Sequence, residues 1–210
     1  MSQLTMDQAR SILAKHCDDQ HLLLHAVAVS SAMGAMAGHF GADPEYWQAV
    51  GYRHDVAYQH FPEEHLSHPR ELLEPEGVDE ADIRAILSHG WGLCSDVEPL
   101  SDMEKRLFTV DELTGIVMAN ALMRPTGIAD MDVKSVNKKF KDKRFAAKCD
   151  REVIRKGCDM LGMELSEVIA LVIEGMRSKM DELGIGPKEG RDKTIEHRKT
   201  AHGSGGLFLR

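Results

Sequence analysis

Residues 22–36 read LLLHAVAVSSAMGAM. Apolar side chains recur at Leu22, Ala26, Val29, Met33 and Met36, in steps of three or four, the period at which an α-helix returns to one face. A half-buried strand would need alternate residues instead. The same period runs from Met103 to Met123, through Leu107, Val110, Leu113, Val117, Ala121 and Leu122, with Asp102 as the expected cap and Arg124-Pro125 as the stop. A third long helix is predicted from about Ser166 to Leu183, ended by Gly184 and Gly186-Pro187. Shorter helical stretches lie near Pro44 to Ala57 and near Asp79 to Ser88. Strand-type alternation is scarce and no internal repeat is present. The pattern predicts an all-α fold, one helical bundle over residues 1–183. Residues 184–210 are polar and Gly-rich without an apolar period, and are expected to form a flexible C-terminal tail, whose last residues, GGLFLR, can pack on the body or on a neighbouring subunit.

Composition removes several classes of function. With 42% apolar residues in 210, the chain can bury a continuous core. Its 26 basic and 34 acidic residues leave a net charge of -8, which argues against coating nucleic acid or anionic lipid. No uninterrupted apolar run reaches the roughly 20 residues of a membrane span; the best, around Val168 to Ile173, stops at Glu174. The first residues, MSQLTMDQARS, lack a signal-peptide pattern. Cys17, Cys94, Cys149 and Cys158 lie far apart with no CxxC pair, so the expectation is a reduced, cytoplasmic protein without a zinc–cysteine site. A homo-oligomer is compatible with this composition.

The chemistry is signalled by polar groups set in apolar runs. His25 lies on the apolar face of LLLHAVAVSSAM, and Asp111 sits within LFTVDELTGIVMANAL. His54-Asp55 closes the apolar stretch AVGYRHDVAY. Burying such groups is costly unless each is hydrogen-bonded or bound to a metal, and for one residue alone a hydrogen-bonded core histidine is the commoner case. Imidazole nitrogen and carboxylate oxygen together suit Mn, Fe, Co, Ni, Zn or Mg. Adjacent helical residues diverge by about 100°, so His54 and Asp55 can share a centre only near a distorted turn or beside a second ion.

The order His25, His54-Asp55, Asp111, with about 29 residues in the first interval and about 56 in the second, resembles the HD-domain metal-dependent phosphohydrolase superfamily. The segments WQAVGYRHDVAY (47–58), HPRELLEPEGVDEADIRAILSHG (68–90), VDELTGIVMANALMRP (110–125) and DVKSVNKKFKDKRFAAKCDRE (132–152) are together similar to small stand-alone bacterial HD hydrolases. That resemblance implies an HD-type helical bundle in which His25, His54, Asp55 and Asp111 bind one divalent metal. Binuclear relatives add two histidines between the His-Asp pair and the last Asp, which implies His68 and His89 as ligands of a second ion, with Asp55 bridging. The alternative is that His68 and His89 are acid-base or substrate groups around a single ion. The chain departs from the family pattern at Arg53, where a leucine is expected, and at Ala57, where an acid is expected. Arg53 then reads either as a phosphate contact or as a solvent-facing residue.

Lys134 to Lys156 carries ten basic and three acidic residues. Lys134, Lys138 and Lys143, with Arg124, are the candidate phosphate contacts; a solvated, charge-balanced face is the plainer reading. Aromatic interleaving of the kind that stacks successive bases is lacking, Phe140 and Phe145 being the aromatic residues of the segment, so nucleic acid is an unlikely partner. The expected function is hydrolysis of a small phosphorylated substrate, a nucleotide or another phosphomonoester, with Asp55, His68 and His89 as catalytic groups. The alternatives are a di-iron oxygenase built on the same ligands and a non-catalytic nucleotide sensor. His21 is expected on the surface, and His60 and His65 in a polar loop facing water.

Overall fold

The computed structural model describes residues 5–188, and among them nine α-helices and no strand. The helices are α1 (Met6–His16), α2 (Gln20–Phe40), α3 (Pro44–Arg53), α4 (Pro69–Leu73), α5 (Glu80–Ser88), α6 (Asp102–Met123), α7 (Val133–Lys141), α8 (Arg151–Leu161) and α9 (Leu165–Ser178). The all-α expectation holds. The starts are written in the sequence as side-chain caps: Thr5 and Gln8 form a capping box on α1, and Asp19 accepts from the N–H groups of His21 and Leu22 on α2. Asp43 caps α3 just before Pro44. For α6 the cap is Ser101, one residue before the expected Asp102, because Ser101 pairs with Glu104 in a reciprocal box that Asp102 cannot make.

The core is organised around α2, which packs against α3, α6 and α9. Its residues Ala26 to Gly34, with Met36 and Ala37, are buried without a break. Among the described residues α2 is also the one helix long and apolar enough to cross a membrane by length and composition, with 61% of that window buried inside the protein. The count of uninterrupted apolar residues missed it because Ser30, Ser31 and Gly34 break the run while adding little polarity. Close approach at its back comes from Gly175 of α9, where a Cβ would stand 2.2 Å from the Ser31 carbonyl oxygen. On the other side α6 packs against α8 and places Asp111 opposite α2.

Three boundaries differ from the sequence expectation. Helix α3 stops at Arg53 rather than Ala57, and α9 at Ser178 rather than Leu183, each giving way to turns. The segment expected to leave the body at Gly184 stays on it through Lys188. Ile185 is fully buried, its carbonyl accepts from Ile128 N–H at 2.8 Å, and Lys188 N–H donates to the Pro125 carbonyl at 2.9 Å. An apolar residue and backbone pairing to another loop hold it there, neither of which a composition argument registers. The rest of the expected tail, 189–210, lies outside the described residues.

Arg53 overturns both of its expected roles. Its side chain is fully buried, donates from Nη2 to Asp82 Oδ2 at 2.8 Å, and donates from Nε to the Ala49 carbonyl at 2.9 Å. The other oxygen of Asp82 accepts from Tyr46 hydroxyl at 2.6 Å, so α3 and α5 are locked by a buried ion pair. Removing one partner strands the other charge in the core, at a cost of roughly 3–5 kcal/mol. Arg53→Ala is therefore expected to lose about that much in denaturant unfolding, whereas the double change Arg53→Met with Asp82→Leu recovers most of it. Equal loss in both proteins would show that the ion pair is not what joins the helices.

Candidate metal centre

Six side chains converge beneath a cleft, two from helices α2 and α6 and four from turns. Both members of the His54-Asp55 pair reach the centre because α3 ends at Arg53 and the chain turns over residues 54–60, which leaves His54 Nε2 and Asp55 Oδ2 3.5 Å apart. His25 comes from α2 and Asp111 from α6. His25 Nε2 lies 3.1 Å from His54 Nε2, 2.9 Å from Asp111 Oδ1 and 3.7 Å from Asp55 Oδ2; His54 Nε2 lies 3.3 Å from the same Asp111 oxygen. Donors bound to one ion at about 2.0–2.2 Å stand about 3 to 3.5 Å from each other. His25 and His54 thus stand near ligand-shell spacing from each other and from both Asp55 and Asp111.

A second group shares Asp55. His65 Nε2 lies 3.3 Å and His89 Nε2 3.6 Å from Asp55 Oδ1, and the two imidazole nitrogens are 3.2 Å apart. His89 Nε2 is also 4.0 Å from Asp111 Oδ2. Asp55 therefore turns one oxygen to each group, the arrangement of a bridging carboxylate. Buried His and Asp groups here can hold a metal ion.

The tautomers favour cations over hydrogen bonds. His54 Nδ1 sits 2.8 Å from the Gly51 carbonyl and His89 Nδ1 2.6 Å from the Ile86 carbonyl. A carbonyl only accepts, so each Nδ1 carries its hydrogen and each Nε2 turns a lone pair inward. Both residues directly follow a helix, α3 and α5, and their Nδ1–H groups donate back to carbonyls of its last turn, the Ile86 carbonyl also accepting the His89 backbone N–H at 3.3 Å. Burial alone would raise the carboxyls of Asp55 and Asp111, but the imidazoles around them, His54 foremost, hold both well below the usual carboxylate range. For His54 burial lowers the pKa, and Asp55 and Asp111 outweigh it and raise it. Burial takes His65 down to about 4.

His68, expected as a ligand and catalytic group, does not join. It donates to the carboxylates of Glu64, at 2.7 Å from Nε2, and Glu71, at 3.1 Å from Nδ1, and stacks on Phe61. His65, read as a water-facing loop residue, takes its place. Leu66 is in the left-handed region at φ 68°, with its side chain buried over Gly90, where a Cβ would stand 2.5 Å from Leu66 Cδ1. That local fold turns His65 inward, and its Nδ1 is buried with no hydrogen-bond partner. Two histidines three apart in HLSH gave no sequence criterion for choosing between them.

The expected phosphate contacts are also elsewhere. Arg124 pairs with Asp130 at 2.6 Å and donates to the Gly127 carbonyl at 3.1 Å. Lys134, Lys138 and Lys143 are exposed, and none lines the cleft. Lys148 does line it, as does Glu112, which accepts from Asp150 N–H at 3.0 Å and is pushed up to about 7 by burial and by neighbouring Asp111. His21, expected on the surface, is exposed at the cleft rim. Compared with known proteins, the chain matches no protein-family model, no curated protein and no solved structure.

Two outcomes follow. His65→Ala is expected to lower bound metal from two equivalents towards one, with His68→Ala keeping both, as read by elemental analysis after dialysis; loss in His68→Ala alone would reverse the assignment. Binding must also displace the proton that the raised pKa keeps on His54 at lower pH. Affinity should therefore rise with pH through the neutral range, with proton release visible as a buffer-dependent calorimetric enthalpy. A pH-independent affinity would exclude an imidazole that exchanges a proton for the ion.

Proposed function

We propose that the chain is a metal-dependent phosphohydrolase of the HD type, acting on a small phosphomonoester. The observation that carries the reading is Asp55, whose Oδ2 faces the group of His25 and His54 while its Oδ1 faces His65 and His89. The ordered resemblance of His25, His54-Asp55 and Asp111 to the HD superfamily supports it independently. Nitrogen and oxygen donors of this kind suit Mn, Fe, Co, Ni, Zn or Mg. A divalent ion there supplies a water acidified towards neutral pH and positive charge for phosphoryl oxygens.

The chain's own residues prepare that chemistry. Asp55 and Asp111 stay ionised, and His54 and His89 are oriented by their Nδ1–H bonds before any ion arrives. The side chains of Leu22, Leu93 and Met118 line the cleft beside the cluster. In the reaction water adds to phosphorus, the bond to the ester oxygen breaks, and that oxygen leaves with a proton as the alcohol beside inorganic phosphate.

The test is phosphate release from a panel of phosphomonoesters with Mn, Co, Ni, Fe, Zn or Mg supplied in turn, in air and under nitrogen. Turnover independent of dioxygen is expected, with Asp111→Asn lowering kcat by a factor of about 10² or more. Consumption of dioxygen with no phosphate released would replace this reading with an oxygenase.

A further inference from the structure

The cleft above the centre encloses about 660 Å³, room for a drug-sized molecule. Away from the cluster its walls are largely carbon, with Leu22 from α2, Leu93 from the loop after α5, Met118 from α6 and Val153 from α8. Of the polar wall groups, Gln59, Thr114 and Glu112 are committed to the protein. Gln59 donates to Asp18 Oδ1 at 2.6 Å and accepts from the N–H groups of Asp18 and Asp19 at 2.9 and 3.0 Å. Thr114 hydroxyl donates to the Asp111 carbonyl at 2.7 Å, and Glu112 accepts from Asp150 N–H. Lys148 is the single Lys or Arg on the wall, which also carries the carboxyl side chains of Asp19 and Glu112.

This lining fits one kind of substrate poorly and another well. A polyphosphate brings several negative charges beyond the group being cleaved, and each needs a cation or donor, whereas Lys148 is the single Lys or Arg on the wall. A nucleobase brings a polar edge whose hydrogen bonds to water would be lost against carbon. We infer that the substrate is a phosphomonoester of an apolar alcohol, its single phosphoryl group at the metal centre and its alkyl or aryl body against Leu22, Leu93, Met118 and Val153. The inference rests on the phosphohydrolase reading and narrows it by excluding nucleotides. Lys148 places a single positive charge on the cleft wall, enough for one anionic head.

The experiment is calorimetric titration of the Mn-loaded full chain with methyl-, butyl- and octylphosphonate, and with AMP and ATP. The phosphonates keep the anionic head and have no ester bond to cleave. Kd is expected to fall roughly three- to four-fold per buried methylene until the cleft is filled, with AMP and ATP weaker than octylphosphonate. Leu93→Asp tests the wall at a side chain 62% exposed, where folding does not depend on it. It should weaken octylphosphonate about ten-fold more than methylphosphonate, and Met118→Gln should act in the same direction. A series flat in chain length, AMP binding tighter than octylphosphonate, or a length dependence untouched in both variants overturns the inference. Phosphate release from hexyl phosphate and AMP, measured in parallel, separates the two readings. Length-dependent binding with no turnover of either ester sinks the hydrolase reading, whereas turnover of AMP with a flat phosphonate series sinks the apolar substrate alone.

Discussion

Two ionised carboxylates, Asp55 and Asp111, stand inside the protein among the imidazoles of His25, His54, His65 and His89. Withdrawing a carboxylate from water costs several kcal/mol even after relaxation, and the neighbouring imidazoles offset that only while they are positive or share a cation. The fold is arranged around this constraint. Helices α3 and α5 each end just before a histidine, and each histidine returns its Nδ1–H to its own helix. The inward lone pairs are therefore set by local backbone geometry and need no ion to aim them. The α3–α5 spacing on which this depends is fixed by the buried contact of Arg53 with Asp82.

The two ligand groups are supported unequally. His25, His54, Asp55 and Asp111 stand on α2, the end of α3 and α6, which are packed together in the core. His65 stands on a loop whose inward turn depends on Leu66 in a conformation that costs a non-glycine residue of order 1–3 kcal/mol. The absence of a side chain at Gly90 leaves the space that Leu66 fills. Strain held by packing beside a polar cluster is a common mark of a functional position, and here it falls on Leu66, the neighbour of the histidine that stands beside Asp55 and His89.

The basic segment shows how little a charge count says about a site. Arg151 is buried and donates to the carbonyls of Phe140, Asp142, Phe145, Ala146 and Cys149, so it folds the 140–150 turn rather than meeting a ligand. Lys139 lies over Phe145, Arg155 over Phe140 and Lys156 over Trp91. Positive charge near the cleft is consequently sparse despite ten basic residues in this stretch.

The helical class, the core helix through residues 22–36 and the convergence of His25, His54, Asp55 and Asp111 were legible in the sequence. The first two rest on a local rule, that a helix repeats every 3.6 residues; the convergence rests on the resemblance to the HD superfamily, since a polar group set in an apolar run requires only some partner inside. Ser101 and Glu104 were equally legible as a capping box, though Asp102 was read first. What only the tertiary structure decided was direction. His65 and His68 are chemically alike and three residues apart, and the loop turns one to Asp55 and the other to Glu64 and Glu71. Arg53 looks like a surface or phosphate-binding residue until Asp82, 29 residues away, meets it in the core. Lys148 reaches the cleft while Lys134, Lys138 and Lys143 do not, because α7 and the turn after it carry those three out to solvent. Periodicity assigns a residue to a face, but in loops and at helix ends there is no period, and the side chain goes where distant packing leaves room.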